Sequence, residues 1–192
     1  MWTFAHEVGR KAVHLLILFV LFGYFFIEQT YGKSTALLAL VFLLIIFLIF
    51  EFFRLELEIC PPFFEQFIRP KERNRPYGVI YFISGTIIAL AVFEFHIALA
   101  ALLMTTFGDM GAALIGKRYG KTIIFKNKTF SGGLAELIIN LVVGFIILNN
   151  IYIILAMAFV ATIVEVFAEE LDDNLLVPLF SGAIGHVLFL IL

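Results

Sequence analysis

Carboxylates inside apolar segments are the residues best suited to chemistry in this chain of 192 residues. Asp109 lies eight residues before Lys117, about 12 Å along a helix from that end of its apolar run. Glu136 and Glu165 each lie about one helical turn inside another apolar segment. An ionisable side chain in a membrane span is costly, faces the bundle interior and often marks a site. These three residues are therefore the first candidates for a functional site.

Three carboxylates that converge from three segments would repel one another. A divalent cation would relieve that repulsion, and oxygen ligands suit Mg²⁺. The alternatives are that Asp109 pairs with a buried lysine or arginine, and that Glu136 and Glu165 are separate interfacial residues. Glycines flank Asp109 at Gly108 and Gly111. Such glycines favour close helix packing or a local break in the helix.

A cationic, glycine-rich segment from Gly116 to Gly133 follows. Its basic residues are Lys117, Arg118, Lys121, Lys126 and Lys128. Lysine and arginine neutralise an anion, while glycines let backbone amides approach it. Ser131 and Gly132 open the next apolar segment, whose helix N-terminus would suit a phosphate. The alternative is a positively charged anchor that touches anionic lipid headgroups.

Two smaller groups of polar residues complete the set. Arg10, Lys11 and His14 form a helical cluster at the mouth of the first apolar segment, where they could join an anion site. A lone histidine there would be a packing residue instead. Glu51 and Arg54, three residues apart, can pair on one helix face at the end of the second segment.

The composition requires a membrane to hold these residues. Hydrophobic residues make up 62% of the chain, charged residues only 15%, and the mean hydropathy is +1.07. A water-soluble domain of this size could not bury that much apolar surface. The single Cys60 excludes an internal disulfide framework. We therefore predict an all-α, polytopic membrane bundle over residues 1–192 as a single domain. We expect no nucleic-acid partner. The sequence leaves the oligomeric state open, and a homo-oligomer is one of the alternatives.

Seven apolar stretches are long enough to serve as spans. They cover approximately residues 12–27, 34–53, 77–93, 96–115, 132–148, 151–168 and 175–192. Two joints are very short, at Glu94 to His96 and at Asn149-Asn150, and each predicts a tight helical hairpin. A six-span alternative would bury one of them.

The distribution of basic residues predicts the orientation. With alternating spans, twelve of the 13 Lys and Arg fall on one side and only Lys33 on the other. The positive-inside rule then places the N-terminus and both basic loops in the cytoplasm. The cytoplasmic connection before the last span is acidic, with Glu169, Glu170, Asp172 and Asp173. The polar chemistry is thus predicted to lie on the cytoplasmic face.

In this order the motifs resemble the dolichol kinase and phytol kinase group of CTP-dependent lipid kinases, which is also similar to phosphatidate cytidylyltransferases. The resemblance covers nearly the whole chain and rests on an ordered set of segments. They are Glu7 to His14, Glu51 with Arg54, Arg75 to Phe82, Phe107 to Gly120, Lys128 to Gly133, and Glu165 followed by Leu171 to Gly182.

The resemblance implies phosphorylation of an isoprenoid alcohol in the membrane, with CTP as the donor and Mg²⁺ as the cofactor. It places Asp109 and Asp173 around the metal and the triphosphate. We predict Asp109, Asp173 and Glu165 as catalytic residues, and Asp109, Asp173 and Glu136 as metal ligands. It implies that Asn174 supports the acidic turn. The residues expected to hold nucleotide or phosphate are Lys117, Arg118, Lys121, Lys128, Ser131, Gly132, Arg10, Lys11, His14 and Asn174.

Three rival functions remain open at this level. A cytidylyltransferase that makes a CDP-lipid would use similar cations and acids. A small transporter or scramblase would place ionisable groups near the midplane with access from both sides, whereas the polar residues here are predicted on one side. A purely structural membrane subunit would need no such cluster.

Overall fold

The computed structural model describes residues 4–58, 75–126, 128–168 and 172–192, with side chains from Leu18 onward. Within these ranges the chain is almost entirely helical. The helices are α1 (Phe4–Tyr31), α2 (Lys33–Glu56), α3 (Gly78–Val92), α4 (Phe95–Leu103), α5 (Asp109–Tyr119), α6 (Phe130–Ile147), α7 (Ile151–Phe167) and α8 (Asp173–Ile191). The prediction of an all-α fold is confirmed.

Each predicted span coincides with helix. Among the described residues, four helical stretches are long and apolar enough to cross a membrane: Lys33–Glu56, Phe95–Tyr119, Phe130–Ile147 and Asp173–Ile191. Three shorter apolar helices, Leu18–Tyr31, Gly78–Val92 and Ile151–Phe167, account for the other predicted spans. The protein is therefore a membrane protein of the helical type, while the number of crossings and the orientation of the N-terminus stay predictions.

Polar side chains cap the helices at the two short joints. The Glu94 carboxylate accepts hydrogen bonds from the backbone amides of His96 and Ile97, at 2.8 and 3.1 Å. At the second joint, Asn150 Oδ1 accepts a bond of 2.9 Å from the amide of Tyr152. Such caps satisfy amides that have no partner within the helix. Both predicted joints thus end one helix and begin the next.

The chain divides into two compact units, residues 1–87 and 88–192. In the first unit α1 packs against α2, and many phenylalanines of α2 point outward, among them Phe42 and Phe50. Exposed aromatic and aliphatic side chains of this kind suit a lipid environment. The prediction that residues 1–192 form one domain stays a prediction.

The second unit is built around α4 and α7. Helix α8 packs against α7 and α4, while α6 packs against α5 and α7. The centre is filled by small and medium apolar side chains, including Ala98, Ala101, Leu102, Met157 and Ala161. Small residues allow helices in a membrane to approach closely.

A π-helical turn, Met104–Gly108, joins α4 to α5 within one continuous helical stretch. The hydroxyls of Thr105 and Thr106 donate to the carbonyls of Ala101 and Leu102, at 2.8 and 2.9 Å. These bonds satisfy backbone carbonyls where the regular ladder is interrupted. Asp109 is the first residue after this wide turn, so the turn sets the direction of its side chain.

The cationic segment forms a small hairpin that the sequence did not predict. Strand β1 (Ile123–Phe125) pairs antiparallel with β2 (Lys128–Thr129), in the register Ile123 to Thr129 and Phe125 to Lys128. Lys126 adopts a left-handed conformation with φ of 45° at the turn. Because β2 runs directly into α6, the hairpin fixes Lys128 at the start of that helix.

Candidate active site

Three carboxylates meet in the second unit. Oxygen atoms of Asp109, Glu165 and Asp173 all lie within 4.8 Å of one another. Glu165 is buried, with 2% of its surface exposed, whereas Asp109 and Asp173 are partly buried. We call these three residues the carboxylate cluster.

Helix ends position the cluster. Asp109 is the first residue of α5, Glu165 lies in the last turn of α7, and Asp173 is the first residue of α8. Asp172 caps α8, because its Oδ1 accepts a 3.1 Å bond from the amide of Asn174. The helix dipole also favours Asp173, an acidic residue in the first turn of α8. Asp109 instead follows the π turn inside one continuous helical stretch, so only Asp173 lies at a helix start.

Lys128 places its ammonium group within the cluster. Its Nζ donates a hydrogen bond to Glu165 Oε1 and lies 3.9 Å from Asp173 Oδ2. Burial of the ammonium favours its neutral form, but the surrounding carboxylates, Glu165 first, outweigh that effect and raise the pKa of Lys128 above its ordinary value. Lys128 therefore carries a positive charge and offsets part of the negative charge of the cluster. For Asp109, the alternative to a metal was an ion pair with a buried lysine or arginine. In the structure the half-buried Lys128 bonds the neighbouring carboxylate, Glu165.

The carboxylate cluster fits a divalent metal ion. Its donor atoms are all oxygens, the ligands that Mg²⁺ prefers. Ligand oxygens about 2.1 Å from Mg²⁺ in octahedral geometry are at most about 4.2 Å apart. The spacing within 4.8 Å therefore needs only small side-chain rotations. If all three carboxylates are ionised, the single ammonium of Lys128 leaves two negative charges for a divalent cation to balance.

The acidic turn before α8 is held by Asn174, which is buried. Asn174 Nδ2 donates to Asp172 Oδ1 at 2.5 Å, in addition to the backbone bond. Burial, reinforced by the charge of Asp173, raises the pKa of Asp172 to about 6. Asn174 thus braces the turn that carries Asp173. Its role in nucleotide binding stays a prediction. Glu169 and Glu170 lie outside the described residues.

The start of α6 lies beside α5 through a close glycine contact. A Cβ added to Gly132 would lie 3.0 Å from the carbonyl oxygen of Ala112 and 3.4 Å from the Cα of Gly116. Thr129 caps α6, since its Oγ1 accepts a 3.2 Å bond from the amide of Gly132. Ser131 lies beside this cap, with its Oγ 3.5 Å from the Thr129 Oγ1. A helix N-terminus of this kind, next to Lys128, is suited to phosphate oxygens.

The other predicted phosphate ligands of the cationic segment lie around this helix start. Lys117 and Arg118 belong to the last turn of α5, and Lys121 follows it. All three side chains are exposed. The structure therefore separates one half-buried cation, Lys128, from a group of exposed ones that could contact a nucleotide or lipid headgroups.

The N-terminal cluster cannot be placed relative to these residues. Arg10, Lys11 and His14 lie in α1, and their side chains fall outside the described part of the chain. Their role in anion binding stays a prediction.

Glu136 lies close enough to interact electrostatically with Lys128 and with the carboxylate cluster, but its oxygens are not among those that meet within 4.8 Å. It is buried on α6, with its Cγ 3.1 Å from the position of a Cβ on Gly108. The geometry therefore favours Glu165 over Glu136 as the third oxygen donor beside Asp109 and Asp173. Metal binding by Glu136 stays a prediction.

Asn140 and Thr162 continue from Glu136 as a buried polar pair that the sequence analysis did not single out. Asn140 lies four residues after Glu136 on the same helix face and is fully buried. Its Nδ2 donates to Thr162 Oγ1 of α7 at 3.2 Å. An asparagine one turn from a carboxylate within an apolar helix was the signal that could have found it.

Glu51 and Arg54 form the predicted pair in the first unit. Arg54 Nη2 and Nε donate to the two Glu51 oxygens at 2.5 and 3.0 Å. Arg54 also donates to the carbonyl of Arg75 at 2.7 Å, and Glu51 accepts a 3.0 Å bond from the amide of Tyr77. This buried fork joins the end of α2 to the residues that lead into α3. Its role is to hold the chain on either side of residues 59–74, which lie outside the described ranges.

Curated relatives agree on one description. In an alignment of 217 positions, the chain is 26% identical to the CTP-dependent diacylglycerol kinase 1 of Schizosaccharomyces pombe. The alignment covers 97% of this chain and 95% of that protein. It is 26% identical over 147 residues to the protein of the same name from Saccharomyces cerevisiae, covering 71% of this chain and 49% of the relative. A third, from Eremothecium gossypii, is 30% identical over 77 residues, covering 39% of this chain and 24% of the relative.

These distant relatives are named as CTP-dependent lipid kinases, in agreement with the broader part of the resemblance. The narrower grouping with dolichol and phytol kinases stays a prediction. No family model matches the chain. No solved structure matches it.

Proposed function

We propose that this chain is a CTP-dependent lipid kinase that transfers the terminal phosphate of CTP to the hydroxyl of a membrane lipid. The observation that supports it best is the carboxylate cluster beside Lys128 at the start of α6. Phosphoryl transfer depends mainly on positioning and on neutralising charge, and this arrangement supplies both. The names of the three relatives agree with this reaction.

The acceptor is a lipid alcohol, and diacylglycerol is the first to test. The relatives are named for that substrate, whereas the motifs resemble those of kinases for isoprenoid alcohols. Both kinds of lipid present a hydroxyl at the membrane surface. They differ in the hydrocarbon part, so one assay with both acceptors distinguishes them.

In the proposed reaction the lipid oxygen forms a bond to the terminal phosphorus of CTP. The bond from that phosphorus to the bridging oxygen breaks, CDP leaves, and the hydroxyl proton passes to water. Lys128 and the amides at the start of α6 hold phosphate oxygens as their charge shifts. The exposed cations Lys117, Arg118 and Lys121 attract the nucleotide from the cytoplasmic side.

Asp109, Asp173 and Glu165 would hold a magnesium ion. When bound, the ion supplies positive charge to the phosphates and orients them for transfer. The carboxylates also hold Lys128 beside the site, because its ammonium bonds Glu165.

The test is an assay of the purified protein in detergent with Mg²⁺, CTP labelled on the terminal phosphate, and separate acceptors. The acceptors are diacylglycerol and a series of prenols. Label in the lipid fraction together with released CDP supports the kinase and identifies its acceptor. A parallel reaction with Asp109→Asn shows whether the label comes from this chain and not from a contaminating kinase.

The products also separate the rival functions. A cytidylyltransferase would release pyrophosphate from CTP when given phosphatidate and would leave no label from the terminal phosphate in lipid. A transporter would catalyse neither reaction. Pyrophosphate release, or no turnover with any acceptor, would contradict the proposed kinase.

A further inference from the structure

The wide turn before Asp109 determines which way that carboxylate points. A π turn acts as one extra residue in an α-helix, and each residue of an α-helix advances the direction of side chains by about 100°. The backbone amide of Asp109 bonds to the carbonyls of Thr105 and Thr106, both within the turn. If the turn reverted to regular helix, Asp109 would rotate away from Glu165 and Asp173.

Asn140 lies directly against this turn. A Cβ on Gly108 would be 2.5 Å from Asn140 Oδ1, so the amide oxygen lies over the glycine Cα. Any side chain at that position would collide with Asn140. Gly108 therefore allows the wide turn to pack closely on α6.

Asn140 also fixes α7, the helix that carries Glu165. Its Nδ2 donates to Thr162 Oγ1, three residues before Glu165. Thr162 in turn donates to the carbonyl of Ala158 at 2.9 Å, so the threonine hydroxyl is directed along its own helix and accepts from Asn140. This bonding pattern orients the Asn140 amide, with nitrogen towards α7 and oxygen towards the wide turn.

The Asn140 oxygen has no hydrogen-bond partner among the described residues, although the side chain is fully buried. The Cα–H group of a glycine is at most a weak donor. A buried carbonyl oxygen without a full hydrogen bond costs free energy, which offsets part of what the Asn140 bonds to Thr162 and Glu136 contribute. Asparagine at this position therefore ties α6 to α7 at a cost at its own oxygen.

We propose that Asn140 is a positioning residue for the carboxylate cluster, joining the wide turn before Asp109 and the helix of Glu165 to α6. It touches neither the metal nor the substrate and acts through the orientation of Asp109 and Glu165. This inference rests on the proposed metal-binding role of the cluster.

The test measures Mn²⁺ binding to the full-length protein in detergent by electron paramagnetic resonance, together with the melting temperature of each variant. Asn140→Leu is expected to weaken Mn²⁺ binding by about tenfold or more when binding is measured well below the melting temperature of the variant. Thr162→Val should weaken it less, and Thr162→Ser, which keeps the hydroxyl, should bind as the wild type does. A residue that served only stability would lower the melting temperature without this selective loss of metal binding.

A paired change tests the contact at Gly108. Gly108→Ala should weaken Mn²⁺ binding strongly, and Asn140→Ala in the same protein should recover part of the loss by making room for the methyl group. If Asn140→Leu and Thr162→Val both bind Mn²⁺ with wild-type affinity, the positioning role is wrong, although the metal centre still stands. Failure of the wild-type protein to bind Mn²⁺ would overturn the metal centre itself, and this inference with it.

Discussion

Half-buried Lys128 and buried Glu165 form an ion pair although 37 residues separate them in the sequence. Lys128 lies at the end of the hairpin and Glu165 at the end of α7, so the pair joins the cationic segment to the carboxylate cluster. It brings the predicted phosphate ligand and the predicted acidic residues into one site.

Replacing Asp109 by asparagine should abolish turnover without unfolding the protein. Asparagine keeps the size of the side chain but removes the charge that would hold a metal ion. Loss of an electrostatic group of this kind costs about 100- to 1,000-fold in rate. The rate of lipid phosphorylation checks the prediction, with Glu56→Gln, an exposed carboxylate on α2, as the control. Turnover at the wild-type rate in Asp109→Asn would remove Asp109 from the site.

Lys128→Met should affect turnover and metal binding in opposite directions. Turnover should be lost, because the variant lacks the cation that neutralises phosphate. Mn²⁺ should bind about tenfold more tightly, equivalent to about 1.4 kcal/mol, because a positive charge no longer competes for the carboxylates. Calorimetric or resonance titration with Mn²⁺ measures this, and Lys33→Met serves as a charge control. Weaker Mn²⁺ binding in Lys128→Met would mean that Lys128 supports the metal site instead of competing with it.

Arg54→Lys should destabilise the protein. The side chains of Arg54 and Glu51 are only 8% and 6% exposed, and lysine cannot reproduce the two-pronged contact. Removing one partner of a buried pair costs about 3–5 kcal/mol, and lysine should recover only part of that. Thermal unfolding in detergent checks the loss, which should be smaller for Arg54→Lys than for Arg54→Ala. Equal melting temperatures for all three proteins would show that the fork contributes nothing to stability.

Glu94 should make stability depend on pH in the acidic range. Although burial opposes it, the hydrogen bonds from His96 and the amide of Ile97 lower the pKa of Glu94 below its ordinary value of 4.5. The ionised carboxylate therefore stabilises the folded state above pH 4.5, and this contribution is lost as the pH falls through the lower folded-state pKa. The wild type should melt above Glu94→Gln at neutral pH, and the difference should shrink on acidification. A difference that stays constant down to pH 3 would contradict this account.

Much of the architecture could be predicted from the sequence, because it depends on local chemistry. Long apolar runs must form helices in a membrane, since backbone groups there have no water to bond. The polar breaks at Glu94 and Asn150 cap the helices that they precede, and the pair of Glu51 and Arg54 follows from helical spacing alone. The cost of placing a carboxylate in a span also makes Asp109 a candidate on the sequence alone.

Only the tertiary structure decided which residues form the site. Which carboxylates meet depends on the rotation and register of helices that are distant in the sequence, and no local pattern records these. A wide turn before Asp109 changes its direction by about 100°. Gly108 signals close packing or a local break at this point, but not the form of the turn or the direction it gives Asp109. The folded chain therefore grouped Glu165 with Asp109 and Asp173 and placed Lys128 among them. It packed Glu136 and Asn140 of α6 against Gly108 in the wide turn.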